Sequence, residues 1–186
     1  MASLSASDWV RAAARRLAAD GVDAVRVEPL ARDLGVSKGS FYWHFTDRAG
    51  LLDAVLDHWR AVGTAGVITR VEEASDDPAD RLLELARLAF EHAGGGAGGI
   101  LDGRFDGAVR AWAARDPRAR DAVHAVDEAR TAYLERLLTG AGGPDAPRRA
   151  AVVYRALLGE YAMRNAGAGA LDPRAVDELA AWALGR

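Results

Sequence analysis

An all-helical fold follows from three observations on this sequence. Apolar residues recur at i, i+3, i+4 and i+7 nearly throughout, no stretch alternates apolar and polar residues as a half-buried strand does, and three Asp-Pro pairs stand at the heads of periodic runs. Ala, Leu and Arg dominate the composition, and all three favour helix. The periodic runs sum to about nine helices.

The first helix is read over residues 8–20, where Val10, Ala13, Ala14 and Leu17 share a face and Gly21 closes it. Residues 22–45 differ, because apolar positions crowd together and the elements must be short. Leu30, Ala31 and Leu34 suit one face of a brief helix after Pro29. Gly35 can take the left-handed conformation that ends it, and Ser37 can cap the next. Phe41 and Phe45 stand four apart and share a face, expected to pack inward on Leu30, Leu34 and Leu52. Helix, tight turn, helix is the arrangement that lays a second helix in a DNA major groove.

Leu52, Val55, Leu56, Trp59 and Val62 repeat the helical pattern, as do Leu82, Leu85, Ala86 and Ala89. Val123, Val126, Tyr133 and Leu137 follow it less regularly, and Val176, Leu179, Ala180, Ala183 and Leu184 end the chain with it. Asp77-Pro78, Asp116-Pro117 and Asp172-Pro173 mark three starts. An Asp side chain accepts from the free N–H groups of a first turn, and Pro loses nothing at the first helical position. The Gly-rich segments 93–99 and 140–147 read as loops.

With 186 residues, half of them hydrophobic, the chain can build a sizeable core. Lys plus Arg is 24 against 27 Asp plus Glu, a net charge of -3, which excludes a uniformly basic coat but not a local patch. Residues 1–48 hold seven Lys/Arg against six Asp/Glu, so any phosphate contact must rest on few cations and on hydroxyls. The absence of cysteine rules out disulfides and thiolate metal sites. Asp8, Arg11, Arg15 and Arg16 stand where a signal peptide needs an uncharged core, and nothing approaches the roughly 18 apolar residues of a membrane span. A soluble, cytoplasmic protein without membrane contact is expected.

The stretch "GVSKGSFYWHF" (35–45) carries four rings, Phe41, Tyr42, Trp43 and Phe45, among Ser37, Lys38, Gly39, Ser40 and His44. That mixture suits neither a core segment nor an ordinary surface. "VEPLARDLGVSKGSFYWHFTDRAGLLDAV" (27–55), behind the helix of 8–20, resembles the N-terminal DNA-binding domain of the tetracycline-repressor (TetR) family. The likeness rests on Leu30-Ala31, Leu34-Gly35-Val36-Ser37, Gly39-Ser40, Tyr42, His44-Phe45 and Leu51-Leu52, without gaps over roughly 50 residues. It implies a three-helix domain of residues 1–48 and an effector-binding and dimerisation domain of residues 49–186. It implies a homodimer on a near-palindromic double-stranded operator, released by a small molecule, with the helix of 37–45 in the major groove.

Carried over by position, Ser40, Tyr42 and His44 would touch the DNA backbone, and Ser37, Lys38 and Gly39 would meet base edges. Arg48 would lie near phosphate, where the family usually has a lysine. Val27-Glu28 replaces the Ser or Thr common at the entry to the second helix. Arg26 could supply a phosphate contact instead, while Glu28 would be repelled by phosphate unless it faces a base or a cation. Trp43 stays open between packing on the first helix and facing DNA.

Two enzyme-like strings carry no chemistry. Gly35-x-Ser37-x-Gly39 matches a nucleophile elbow, and Gly94-x-Gly96-x-x-Gly99 a dinucleotide fingerprint, but each needs a preceding strand and here follows a helix. His58, His92 and His124 show no metal-ligand spacing. Neither catalytic residues, metal nor cofactor are expected. In 148–166, Val153, Leu157 and Tyr161 form one apolar stripe and Val152, Ala156 and Met163 another, so the helix needs two partners. With the resemblance, Val153, Leu157, Tyr161, Val176, Leu179, Ala180 and Ala183 become the candidate dimer interface. Trp59, Phe90, Phe105, Trp112, Tyr133 and Tyr154 are candidates to line an effector pocket, with Arg104, Arg110 and His92 as anchors. The alternative function is a helical small-molecule binding or catalytic protein whose helix-turn-helix is vestigial.

Overall fold

A computed structural model describes residues 4–91 and 103–186, and every regular element among them is helical. In chain order these are α1 (Ala6–Asp20), α2 (Val27–Asp33), α3 (Lys38–Phe41), α4 (Arg48–Arg60), α5 (Gly66–Ala74), α6 (Pro78–Glu91), α7 (Gly103–Ala113), α8 (Pro117–Gly140), α9 (Ala146–Asn165) and α10 (Pro173–Leu184). A π-helical turn, Ala61–Ala65, runs α4 into α5 without a break, so the ten segments amount to nine continuous helices among the described residues. None of them is long and apolar enough to cross a membrane. The Gly-rich segment 93–99, read as a loop, lies outside the described residues.

The Asp-Pro pairs begin α6, α8 and α10. Asp77 Oδ1 accepts from the N–H groups of Ala79 and Asp80 at 2.8 and 3.0 Å. Asp116 Oδ1 accepts from Arg118 at 2.9 Å, and Asp172 Oδ1 from Arg174 at 2.8 Å. Each cap stabilises its helix by about 1 kcal/mol.

The chain packs as two compact units. The first comprises residues up to Ala61 together with Arg104–Val123. In it α1 lies on α4, burying Trp9, Val10, Ala13 and Leu17 with Leu51, Leu52, Val55 and Leu56. Fully burying such a side chain is worth about 1.5–3 kcal/mol. α4 therefore belongs to this core, beyond the 48/49 boundary drawn from sequence. Ser5 opens α1 by donating its backbone N–H to the Asp8 carboxylate at 2.8 Å. Hydrogen bonds from the Ser5 side chain and backbone hold the Asp8 carboxyl below its usual range.

The second unit comprises Val62–Gly103 and His124–Arg186, less the undescribed residues. Its core joins Val71, Leu82, Leu138, Ala150 and Ala183, with α10 packed on α6 and α9. Glu160 is buried and Arg164 half-buried near its edge, and both are satisfied there. Arg164 Nε donates to Glu160 Oε1 at 2.5 Å and its terminal nitrogen to the Phe90 carbonyl at 2.6 Å. Glu160 Oε1 also accepts from the Leu171 N–H at 3.0 Å.

Candidate nucleic-acid interface and apolar cavity

The turn between α2 and α3 is set by Gly35. Its φ of 69° is left-handed, which costs a glycine nothing. Gly35 N–H donates to the Arg32 carbonyl at 3.1 Å and Val36 N–H to the Ala31 carbonyl at 3.0 Å. These two bonds are the Schellman arrangement that terminates a helix. The Ser37 of the elbow-like string therefore follows helix α2 rather than a strand.

The regular part of α3 is shorter than the 37–45 expected. It ends at Phe41, and the chain coils on because His44 N–H and Phe45 N–H both donate to the Phe41 carbonyl at 3.0 Å. Phe41 is fully buried, its ring edge-on to Trp9 with centroids 5.3 Å apart. Phe45 stacks on Phe41 at 5.5 Å and is half-buried. Tyr42 touches the Phe41 ring yet is 55% exposed, and Trp43 is 87% exposed. Trp43 thus falls on the solvent side with Tyr42. Ser37 and Gly39 are exposed, and Ser40 and His44 half-buried. A Cβ on Gly39 would meet only Ser37 Oγ, at 3.6 Å. The chain's own packing does not demand a glycine there.

The cations divide. Lys38 Nζ donates to Glu28 Oε1 at 2.6 Å, joining the starts of α3 and α2 on the exposed side. This bond lowers the Glu28 carboxyl and raises the Lys38 ammonium from their ordinary values. Glu28 does face a cation. Arg26, exposed, donates Nε to the Asp23 carbonyl at 3.0 Å. Arg48, expected near phosphate, donates Nε to the Val25 carbonyl at 2.6 Å and a terminal nitrogen to the Val22 carbonyl at 2.5 Å. The Val22 carbonyl opens the single 3₁₀ turn Val22–Ala24 and the Val25 carbonyl follows it, and a guanidinium fork fits the two.

A cavity lies within the second unit. It measures about 60 Å³ of space open to the centre of a water molecule. Val67 and Ile68 of α5, Leu82, Leu85, Ala86, Ala89 and Phe90 of α6, Leu134 of α8 and Leu157 of α9 make its wall apolar. Arg130 and Thr64 line it while joined to each other, Arg130 Nε donating to Thr64 Oγ1 at 3.2 Å. Tyr154 lines it with its hydroxyl donated to Asp127 at 2.6 Å. Tyr133 lines it too, and its buried hydroxyl has no hydrogen-bond partner among the described residues. Burial raises the Tyr133 phenol above its ordinary value.

Of the six pocket candidates, Phe90, Tyr133 and Tyr154 line this cavity. Trp59, Phe105 and Trp112 are buried in the first unit instead. Arg104 and Arg110 belong to that unit as well, Arg110 paired with the buried Asp106 at 2.6 Å, and His92 lies outside the described residues. Sequence reading missed Thr64, Arg130 and the small residues Gly63, Ala86 and Ala89. The π turn carrying Gly63 and Thr64 leaves no periodic signature.

The candidate dimer residues are turned inward. Val153, Leu157 and Tyr161 line the cavity, Val176, Ala180 and Ala183 are buried in the unit's core, and Leu179 is partly buried there. Apolar exposure falls on the other stripe: Val152 is 44%, Met163 60% and Trp182 42% exposed, Trp182 with the Arg149 guanidinium over its ring. Among the described residues, no group of three or more His, Asp or Glu could hold a metal ion.

Comparison with known proteins bears on the first unit most directly. Residues 10–55 match the family described as bacterial regulatory proteins, tetR family. A stretch of 73 residues, 39% of this chain, is 33% identical to the class A tetracycline repressor protein from transposon 1721 of Escherichia coli. The match spans 34% of that protein, about a third of its length. The fold also resembles that of a transcriptional regulator from Rhodococcus sp. Rha1, with a TM-score of 0.73 over 98% of this chain and 95% of the other, at 20% identity. It resembles AibR in complex with isovaleryl coenzyme A and operator DNA, with a TM-score of 0.70 over 96% and 97% of the two chains, at 17% identity. At these identities the likeness establishes the shared fold.

Proposed function

We propose that this chain, whose residues 10–55 match the tetR family of bacterial regulatory proteins, is a member of that family and a cytoplasmic, non-enzymatic transcriptional repressor. It binds a near-palindromic operator as a homodimer and leaves it when a small, largely apolar molecule occupies the cavity of the second unit. The observation that carries this reading is the sorting of rings in residues 41–45. Phe41 is consumed by the core, while Tyr42 and Trp43 stand in solvent beside Ser37, Lys38 and Gly39. An exposed Trp and Tyr on a helix-turn-helix supply stacking area and a hydroxyl for a phosphate oxygen. AibR is described with both a small molecule and operator DNA, and this supports an effector-responsive reading of the shared fold.

An effector coupled to DNA must bind one of two states more tightly, and the coupling equals that difference in affinity. The test is enrichment of genomic fragments by the purified protein at moderate salt. An inverted repeat should emerge, with half-sites one helical turn apart, about 34–36 Å. Enrichment of no sequence would end this reading. A second reading is a helical small-molecule protein with a vestigial helix-turn-helix. It is favoured by the diversion of Arg48 to backbone carbonyls and of Lys38 to Glu28. Tight ligand binding without an operator would select it.

A further inference from the structure

The Lys38–Glu28 pair is a donor and an acceptor held together on the exposed face of the helix-turn-helix. Nζ and Oε1 are 2.6 Å apart, one at the start of α3 and the other in the first turn of α2. Both side chains are at least half exposed. The major-groove edge of a G·C pair presents the same two functions in complementary form. Guanine O6 is an acceptor and cytosine N4 a donor. They are hydrogen-bonded to each other, hence about 2.9 Å apart, and each keeps outward capacity.

We infer that Lys38 and Glu28 act as one reading unit, a closed ion pair that recognises the order of acceptor and donor across a single base pair of each half-site. The inference rests on the regulator reading above. Lys38 Nζ donates to the keto oxygen on one strand while Glu28 accepts from the exocyclic amine on the other, and the Lys38–Glu28 bond persists. The four groups then form a ring of hydrogen bonds. The ammonium keeps a third N–H, directed to guanine N7.

This predicts a ranking over all four base pairs. G·C satisfies the pair and the third N–H. T·A keeps the keto-then-amine order, but sets the thymine methyl where N7 would be and adenine N7 beside the carboxylate. C·G and A·T reverse the order, facing amine to ammonium and keto oxygen to carboxylate. One position per half-site should therefore favour G·C first, T·A second, and reject the two inversions by about ten-fold or more. Because the pair is neutral as a whole, Glu28 is not repelled from DNA and Lys38 releases no counter-ion.

The experiment is selection from DNA with randomised half-sites by the full chain, followed by binding titrations of the winning site and its variants at that position. It compares the wild type with Glu28→Gln and Lys38→Met, both checked for unchanged unfolding temperature. The amide of Glu28→Gln offers a donor as well as an acceptor, so the inversion penalty should shrink to about two- or three-fold while the other positions keep their preferences. Lys38→Met should remove the same preference. Two results overturn the inference. One is an operator with no such position, or with a preference that Glu28→Gln leaves intact. The other is uniform weakening of all sequences by Lys38→Met, with the salt slope reduced by about one, which assigns Lys38 to phosphate. Failure of the wild type to enrich any DNA would instead remove the regulator reading, and this inference with it.

Discussion

Arg48 holds the carbonyl of Val25, 23 residues earlier, with a 2.6 Å bond from Nε. A guanidinium on two backbone carbonyls is a strut, and its loss should be felt in stability. Arg48→Met should lower the unfolding free energy by about 1–3 kcal/mol, the range for hydrogen bonds to charged groups. Urea denaturation measures this. The salt dependence of DNA binding should not change, and a slope reduced by about one would return Arg48 to the phosphate.

Phe41 and Trp43 are two residues apart and should behave oppositely. Phe41→Ala empties a site in a ring cluster and should cost about 3–5 kcal/mol. Trp43→Ala alters a side chain 87% exposed and should change stability by no more than about 0.5 kcal/mol. It should nevertheless weaken binding to the selected operator. Fluorescence offers a separate check, since the chain has five tryptophans. Acrylamide should quench Trp43 strongly and Trp9, which is fully buried, hardly at all. Equal quenching of the wild type and Trp43→Phe would contradict the placement.

His58 gives the first unit a pH dependence of known sign. Burial, and secondarily the nearby Arg11, lowers its pKa from 6.5. The folded state therefore binds the proton less tightly than the unfolded one. Its contribution is fully present above about pH 6.5 and is lost as pH falls through the lower folded value. His58→Gln should flatten the thermal-stability profile in that acidic window and leave it unchanged at neutral pH.

The cavity should prefer apolar rings carrying one polar group. Toluene and p-cresol have nearly the same shape and differ by a hydroxyl, and Tyr133, whose hydroxyl has no hydrogen-bond partner among the described residues, is one of the residues that line the cavity. Both should raise the melting temperature, p-cresol more. Tyr133→Phe should erase the difference between them and leave stability equal or higher, because an unsatisfied buried hydroxyl costs about 1–3 kcal/mol. Ala86→Leu, which fills the wall, should abolish protection by either compound.

Local signals were legible and long-range ones were not. The three Asp-Pro starts and the Gly35 stop depend on atoms within five residues, and they appear in the structure where sequence puts them. The partner of Arg48 is a carbonyl of a distant turn, which no spacing rule announces. Trp59 and Tyr133 stand on similar amphipathic helices and both are buried, yet Tyr133 also lines the cavity and Trp59 belongs to the other unit's core. Periodicity says that a residue is covered without saying by what. The two apolar stripes of α9 posed the same problem. Val153 and Val152 are adjacent and equally apolar, and only packing shows which one faces inward.

That inward turn of Val153, Leu157 and Tyr161 has a consequence for regulation. In the homodimer proposed above, each copy would complete this core from its own residues, so parting the two need not unfold either. Pairing through exposed apolar residues such as Val152, Met163 and Trp182 would then be an equilibrium between finished molecules. Below its dissociation constant, the population able to grip both half-sites would rise as the square of protomer abundance. Copy number would become an input to the switch alongside the effector.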